Sequence, residues 1–161
     1  MTDTTINSAL INAQTTYNTA KNLFEQHNYK AASIKAKESL KIIQDNKVVN
    51  SEFMTQLISL ISRSFLNSAT TIVEKESNLK ELQQILPKDN IESHSNFVSY
   101  LYYLSKQCLE EKNIEIHKGF HYLQQAIYLA KIHFPKEKTN SDLLEYAKNI
   151  CLKLNKEYTV K

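Results

Sequence analysis

Apolar residues recur at three- and four-residue intervals almost from one end of this chain to the other, the spacing that one buried face of an α-helix requires. One glycine and two prolines serve all 161 residues, which leaves almost no material for tight hairpins, bulges or a phosphate-cradling loop. Lys, Glu, Leu, Gln and Ala are plentiful and favour helices, while the many Asn and Ile argue mildly the other way. A chain of this length removes about 70% of its unfolded surface from water, so its helices must share a core. The pattern predicts an all-α fold.

Seven helices are expected. The first runs from about Thr5 to Gln26, with Leu10, Tyr17, Ala20, Leu23 and Phe24 inward, and turns at His27-Asn28. The second runs from about Tyr29 to Gln44 on Ala32, Ala36, Leu40 and Ile43. After the turn DNKVVN, Ser51 is the expected N-cap of a third helix carrying Phe53, Leu57, Leu60, Ile61 and Phe65. That helix turns near Ser68 or continues to Lys75; the turn is the favoured reading. The fourth reaches Leu86 and stops at Pro87. PKDNIESHS is expected as a loop, and the fifth helix covers about Ser95 to Lys112. The sixth spans about Ile116 to Phe134, with Phe120, Leu123, Ile127 and Ala130 inward, and stops at Pro135. Asn140 or Ser141 caps the seventh, which runs to about Tyr158 on Leu144, Ala147, Cys151 and Leu154.

The first and fifth helices carry the same face. Tyr17 aligns with Tyr102, Ala20 with Ser105, Lys21 with Lys106, Phe24 with Leu109 and Glu25 with Glu110. Self-similarity of this kind points to stacked helical hairpins, because one hairpin cannot bury its apolar face alone and equivalent positions then meet equivalent neighbours.

The stretch NLFEQHNYKAASIKAKESLKII resembles tetratricopeptide repeats. Phe24, Asn28, Tyr29, Ala32 and Leu40 fit the family pattern, while His27 stands where a turn glycine is usual and Ser39 where a second alanine is usual. A later repeat fits through Leu101, Leu104, Ser105, Gly119 and Ala126-Ile127, with the longer turn EEKNIEI. The middle repeat keeps little beyond Ile58, Ile61, Ser62, Phe65 and Leu86-Pro87. The period of about 42 residues is similar to the longer-helix variants of the family. The resemblance implies a single domain over 1–161: an α-α superhelix of three hairpins (about 5–45, 50–87 and 95–134) plus a capping helix over 140–158.

It also implies a binding surface. The period carries Lys21 onto Arg63 and Lys106, with Tyr17, Ser59 and Tyr102 one turn earlier. In the family this line on the first helix of each repeat faces a concave groove that holds extended peptides. Tyr17, Lys21, Ser59, Arg63, Tyr102 and Lys106 are therefore the candidate peptide-binding residues. A cationic ladder suits an acidic segment or a C-terminal carboxylate, and Arg63 can bind one with two parallel hydrogen bonds. The plain alternative is a solvated helix surface. Chaperone-binding members of the family carry Lys and Asn where this chain has Tyr17 and Lys21, so that partner is not implied.

Other function classes find less support. Formal charge is +3 with one arginine, Arg63, and the lysines are interspersed with glutamates, unlike the clustered cations of a nucleic-acid binder. His117 and His121 share a helix face as a metal pair would, but no third ligand has fitting spacing, and no metal or other cofactor is expected. Tyr100 and Tyr103 are expected together on one packing face, with Tyr102 on another. Neither a nucleophile elbow nor an environment that would tune a carboxylate pair is present, so the expectation is a non-enzymatic adaptor or scaffold. The alternative is a secretion-type or folding chaperone, with Ile6, Leu10 and Ile11 allowing a homodimer through the first helix. The N-terminus lacks a signal-peptide pattern and no apolar run reaches the ~18 residues of a membrane span. Cys108 and Cys151 lack CxxC spacing and are expected as buried free thiols, so a cytoplasmic setting is the expectation.

Overall fold

The computed structural model describes residues 3–88, 90–111 and 115–159, with side chains to residue 155. Among them are seven helices and no strand: α1 (Asp3–Glu25), α2 (Tyr29–Asp45), α3 (Ser51–Ser68), α4 (Ile72–Ile85), α5 (Ile91–Glu110), α6 (Ile116–His133) and α7 (Lys138–Thr159). Contacts run between sequential helices, α1 with α2, α2 with α3, α3 with α4 and α6 with α7, and α1 also touches α3, an order consistent with a stacked helical arrangement. The chain forms two compact units, Met1–Asn96 and Phe97–Lys161, and the division falls inside α5.

In the first unit, α1 and α2 pack along a seam of small residues. Ala9, Ala13 and Ala20 of α1 are buried, as are Ala32, Ser33, Ala36 and Ser39 of α2. Absent side chains let the backbones approach, and Ser39 uses that proximity to donate its hydroxyl to the Ala13 carbonyl at 2.6 Å. The large residues expected inward on α1, Leu10, Tyr17, Leu23 and Phe24, are only half-buried and flank the seam. Ile11 is exposed. The expected faces of α2 and α3 are buried throughout.

Both α1 and α2 end in the same way. The Asn28 N–H donates to Leu23 O and the His27 N–H to Phe24 O; Val48 and Lys47 repeat this with Ile43 and Gln44. This closing pattern needs a left-handed residue, usually glycine, just past the helix. His27 (φ 63°) and Lys47 (φ 52°) take that conformation with side chains attached. His27 also gains a 2.7 Å hydrogen bond between its Nδ1 and the Tyr29 hydroxyl, and Val48 gains burial.

Caps set three other boundaries. Asn50, rather than Ser51, caps α3 by accepting from the Phe53 N–H at 3.0 Å. Thr71 caps α4 by accepting from the Glu74 N–H, which places the turn near Ser68. Helix α5 begins at Ile91, four residues before the expected Ser95, because Asn90 caps it by accepting from the Ser93 N–H at 3.2 Å. Asn90 also donates to Ser51 O and meets the Thr55 hydroxyl, tying the start of α5 to the start of α3.

In the second unit, α6 lies so close to α5 that Gly119 abuts Leu109 and Cys108. The Glu115 N–H reaches Cys108 O at 2.8 Å, closing the turn between the two helices; residues 112–114 of that turn, including the expected end of the fifth helix at Lys112, lie outside the described residues. Buried positions on α6 are Gly119, Leu123, Ala126 and Ala130, with Phe120 and Ile127 at their edge. Helix α7 starts at Lys138, before the expected caps, and Asn140 instead donates its side-chain amide back to Phe134 O. Its buried face is Leu143, Ile150 and Leu154. Of the expected set, only Leu154 is buried: Leu144 is 57% exposed, Ala147 half-buried and Cys151 exposed. Cys108 is buried, so only one of the two thiols is in the core. Tyr100 is fully buried while Tyr103 is 52% exposed, so the two do not share a packing face.

Candidate peptide-binding surfaces

In the first unit, α1 presents Tyr17 and Lys21 one turn apart, and α3 presents Ser59 and Arg63 one turn apart. Two ring contacts join the helices. The Tyr17 and Phe53 rings meet edge-on, with centroids 5.5 Å apart and planes at 82°. The Arg63 guanidinium carbon lies 5.0 Å from the centroid of Phe24. Passing from Tyr17 to Phe24 on α1 therefore corresponds to passing from Phe53 to Arg63 on α3, so the two helices run in the same sense. Tyr17, Phe24 and Arg63 thus belong to the α1–α3 seam, and Lys21 stands one helical turn from both Tyr17 and Phe24 on α1. Tyr17 and Ser59 are half-buried, whereas Lys21 and Arg63 are exposed. Among the described residues neither cation forms an ion pair. A guanidinium over a ring contributes about 0.5–1 kcal/mol at an exposed site and keeps its hydrogen-bonding edge available.

The second unit uses the equivalent residues differently. Tyr102, Lys106 and Glu110 follow one another at single-turn spacing on α5. Tyr102 meets Tyr146 of α7 edge-on, with centroids 5.2 Å apart and planes at 82°, the same geometry that Tyr17 makes with Phe53. In each unit, then, a tyrosine of one helix rests edge-on against a ring of another. The Lys106 ammonium lies 5.6 Å from the Tyr102 centroid, 6.0 Å from the Tyr146 centroid and 4.0 Å from the Glu110 carboxylate. Glu110 also accepts a 3.0 Å hydrogen bond from the Tyr146 hydroxyl. Lys106 is thus partly neutralised within its own unit, where Lys21 is not.

Burial, the hydrogen bond to Glu110 and that carboxylate's charge all push the Tyr146 phenol above its ordinary range. Raising a folded-state pKa gives stabilisation that is complete below the unfolded value of about 10 and is lost as pH climbs past it. Two results are expected. A phenolate absorbance titration should find a tyrosine that ionises above the ordinary phenol range and that Tyr146→Phe removes. Tyr146→Phe should lessen the alkaline loss of stability, measured as thermal midpoint against pH.

Tyr146, Glu110 and Phe53 were not among the candidate site residues. Tyr146 sits three residues after Leu143 and four before Ile150, so the stripe that is actually buried would have pointed to it. His117 and His121 are exposed on α6, and the described residues contain no cluster of three metal-ligating side chains. No described helix is long and apolar enough to cross a membrane. Comparison with known proteins returned no match to a family model, a curated protein or a solved structure.

Proposed function

We propose that the chain is a tetratricopeptide-like interaction module, an adaptor or scaffold, whose first unit binds an acidic segment of another protein along α1 and α3. The observation that carries this reading is the exposed pair Lys21 and Arg63, which lack ion-pair partners among the described residues, with Arg63 set over the Phe24 ring and Lys21 one turn from Tyr17 on α1. Charged hydrogen bonds from such a pair would anchor a carboxylate, and Tyr17 would add contact area at low entropic cost. Tyr17 and Tyr102, aligned in the sequence, each meet a ring of another helix edge-on, which is compatible with the repeat reading although the partner rings, Phe53 and Tyr146, do not stand at equivalent positions.

A fluorescein-labelled peptide containing several glutamates, followed by anisotropy, tests the proposal. Lys21→Ala with Arg63→Ala should weaken binding about five- to tenfold, corresponding to about 1–1.4 kcal/mol of exposed charge contacts. The thermal midpoint should stay nearly unchanged. Adding Lys106→Ala should cost less, because Lys106 already faces Glu110. Unchanged affinity in the double variant would refute the assignment. A chaperone that dimerises through α1 is the second reading, and the exposed Ile11 favours it.

A further inference from the structure

Beside the Lys106 cluster, α5 and α7 enclose a cleft of about 210 Å³, lined by Val98, Ser99, Tyr102, Thr139, Asp142 and Leu143. That volume is below the roughly 300 Å³ at which pockets begin to take drug-sized molecules, and is on the scale of one long side chain. Its floor is aliphatic, since Val98 and Leu143 are almost wholly buried. The rim is polar, and its one charged group is Asp142, an exposed carboxylate with no ion-pair partner among the described residues. Tyr102 belongs to both settings, lining this cleft and standing against the Lys106 ammonium.

The two settings share the Tyr102 ring, and each adds a carboxylate, Glu110 in one and Asp142 in the other. In one, the chain supplies its own cation. In the other, no lysine or arginine is among the lining residues. We propose that the α5–α7 cleft is a socket for one lysine or arginine side chain of a partner segment. The methylene stem lies along Val98 and Leu143, as long cationic side chains do on apolar surface. The charged head meets Asp142 and the Tyr102 ring. The opening turns of α7 oppose a cation with a partial charge of about one half, which the full charge of Asp142 outweighs. An acidic side chain would meet Asp142 as a like charge, and a purely apolar one would leave the carboxylate unused. The proposal rests on the reading of the chain as a peptide-binding module, but on residues separate from Lys21 and Arg63.

The full-length chain, labelled with ¹⁵N, would be titrated with three blocked tripeptides whose central residue is lysine, norleucine or glutamate. The lysine peptide should shift the amides of Ser99, Thr139, Asp142 and Leu143 saturably, and bind at least five times more tightly than the norleucine peptide. Asp142→Asn should remove that advantage while leaving the norleucine affinity and the rest of the spectrum unchanged. Equal or tighter binding of norleucine, preference for glutamate, absence of saturable shifts, or indifference to Asp142→Asn would each overturn the socket. The acidic-peptide measurement on Lys21 and Arg63 reads the other surface, so the two proposals fail separately.

Discussion

Replacing Phe53 with alanine is expected to remove about 3–5 kcal/mol of stability from the first unit, the usual range for a buried aromatic cut back to its Cβ. Phe53 is 5% exposed and stands in the first turn of α3. Its ring is the surface on which Tyr17 rests, so the variant opens a cavity and also removes the support for a candidate binding residue. The edge-on ring pair adds about 0.5–1.5 kcal/mol beyond area burial. A cycle built from Tyr17→Ala, Phe53→Ala and the double variant should return that coupling in denaturant unfolding. Phe53→Leu should recover most of the loss but none of the coupling. A cost below about 1 kcal/mol for Phe53→Ala would mean that the α1–α3 contact is not formed as described.

The second large effect has opposing contributions. Gly119 is inside a helix, where alanine is intrinsically better by about 1 kcal/mol. A Cβ built there would lie 2.5 Å from Leu109 Cγ, 2.6 Å from its Cδ2 and 3.1 Å from Cys108 Cβ. Leu109 is 1% exposed and cannot swing into solvent. Close approach therefore wins, and Gly119→Ala should destabilise the second unit by about 1–2 kcal/mol net, with Gly119→Val worse, within the range for overpacked cores. Compensation gives a sharper test. Leu109→Ala makes room for the new methyl, so the double variant should cost clearly less than the sum of the single variants. Additive losses, or a stabilised Gly119→Ala, would contradict the packing of α6 on α5.

How much of this was legible in the sequence depended on whether competing patterns were close in strength. On α2 and α3 one apolar stripe dominates, and the expected faces of both are the buried ones. On α7 two stripes run side by side, the buried Leu143–Ile150–Leu154 and the expected Leu144–Ala147–Cys151–Leu154, and they share Leu154. Both have helical spacing, and only packing against α6 and α5 selects the first. That choice hid Tyr146, and with it the partner of Tyr102. The start of α5 was missed because an asparagine inside PKDNIESHS reads as loop. Asn90 caps the helix while bonding to Ser51 and Thr55, residues far away in the chain. On α1 the seam is made of alanines, whose weak hydrophobic signal is overshadowed by Leu10, Tyr17 and Phe24 at its edges. Of the candidate site, the sequence indicated which residues repeat. The i,i+4 spacing allows an ion pair both for Lys21 with Glu25 and for Lys106 with Glu110, and nothing in it tells that, among the described residues, only the second pair forms, beside two rings.

Binding along α1 and α3 requires the two helices to lie side by side in one sense, so that residues distant in sequence share a wall. A nuclear Overhauser spectrum of the full chain tests this directly. Cross-peaks between the ring protons of Tyr17 and Phe53, and between the Arg63 side-chain methylenes and the Phe24 ring, are the expected result, with the Arg63 methylenes shifted upfield by that ring. Absence of both sets of cross-peaks, with Arg63 methylenes at random-coil positions, would contradict it.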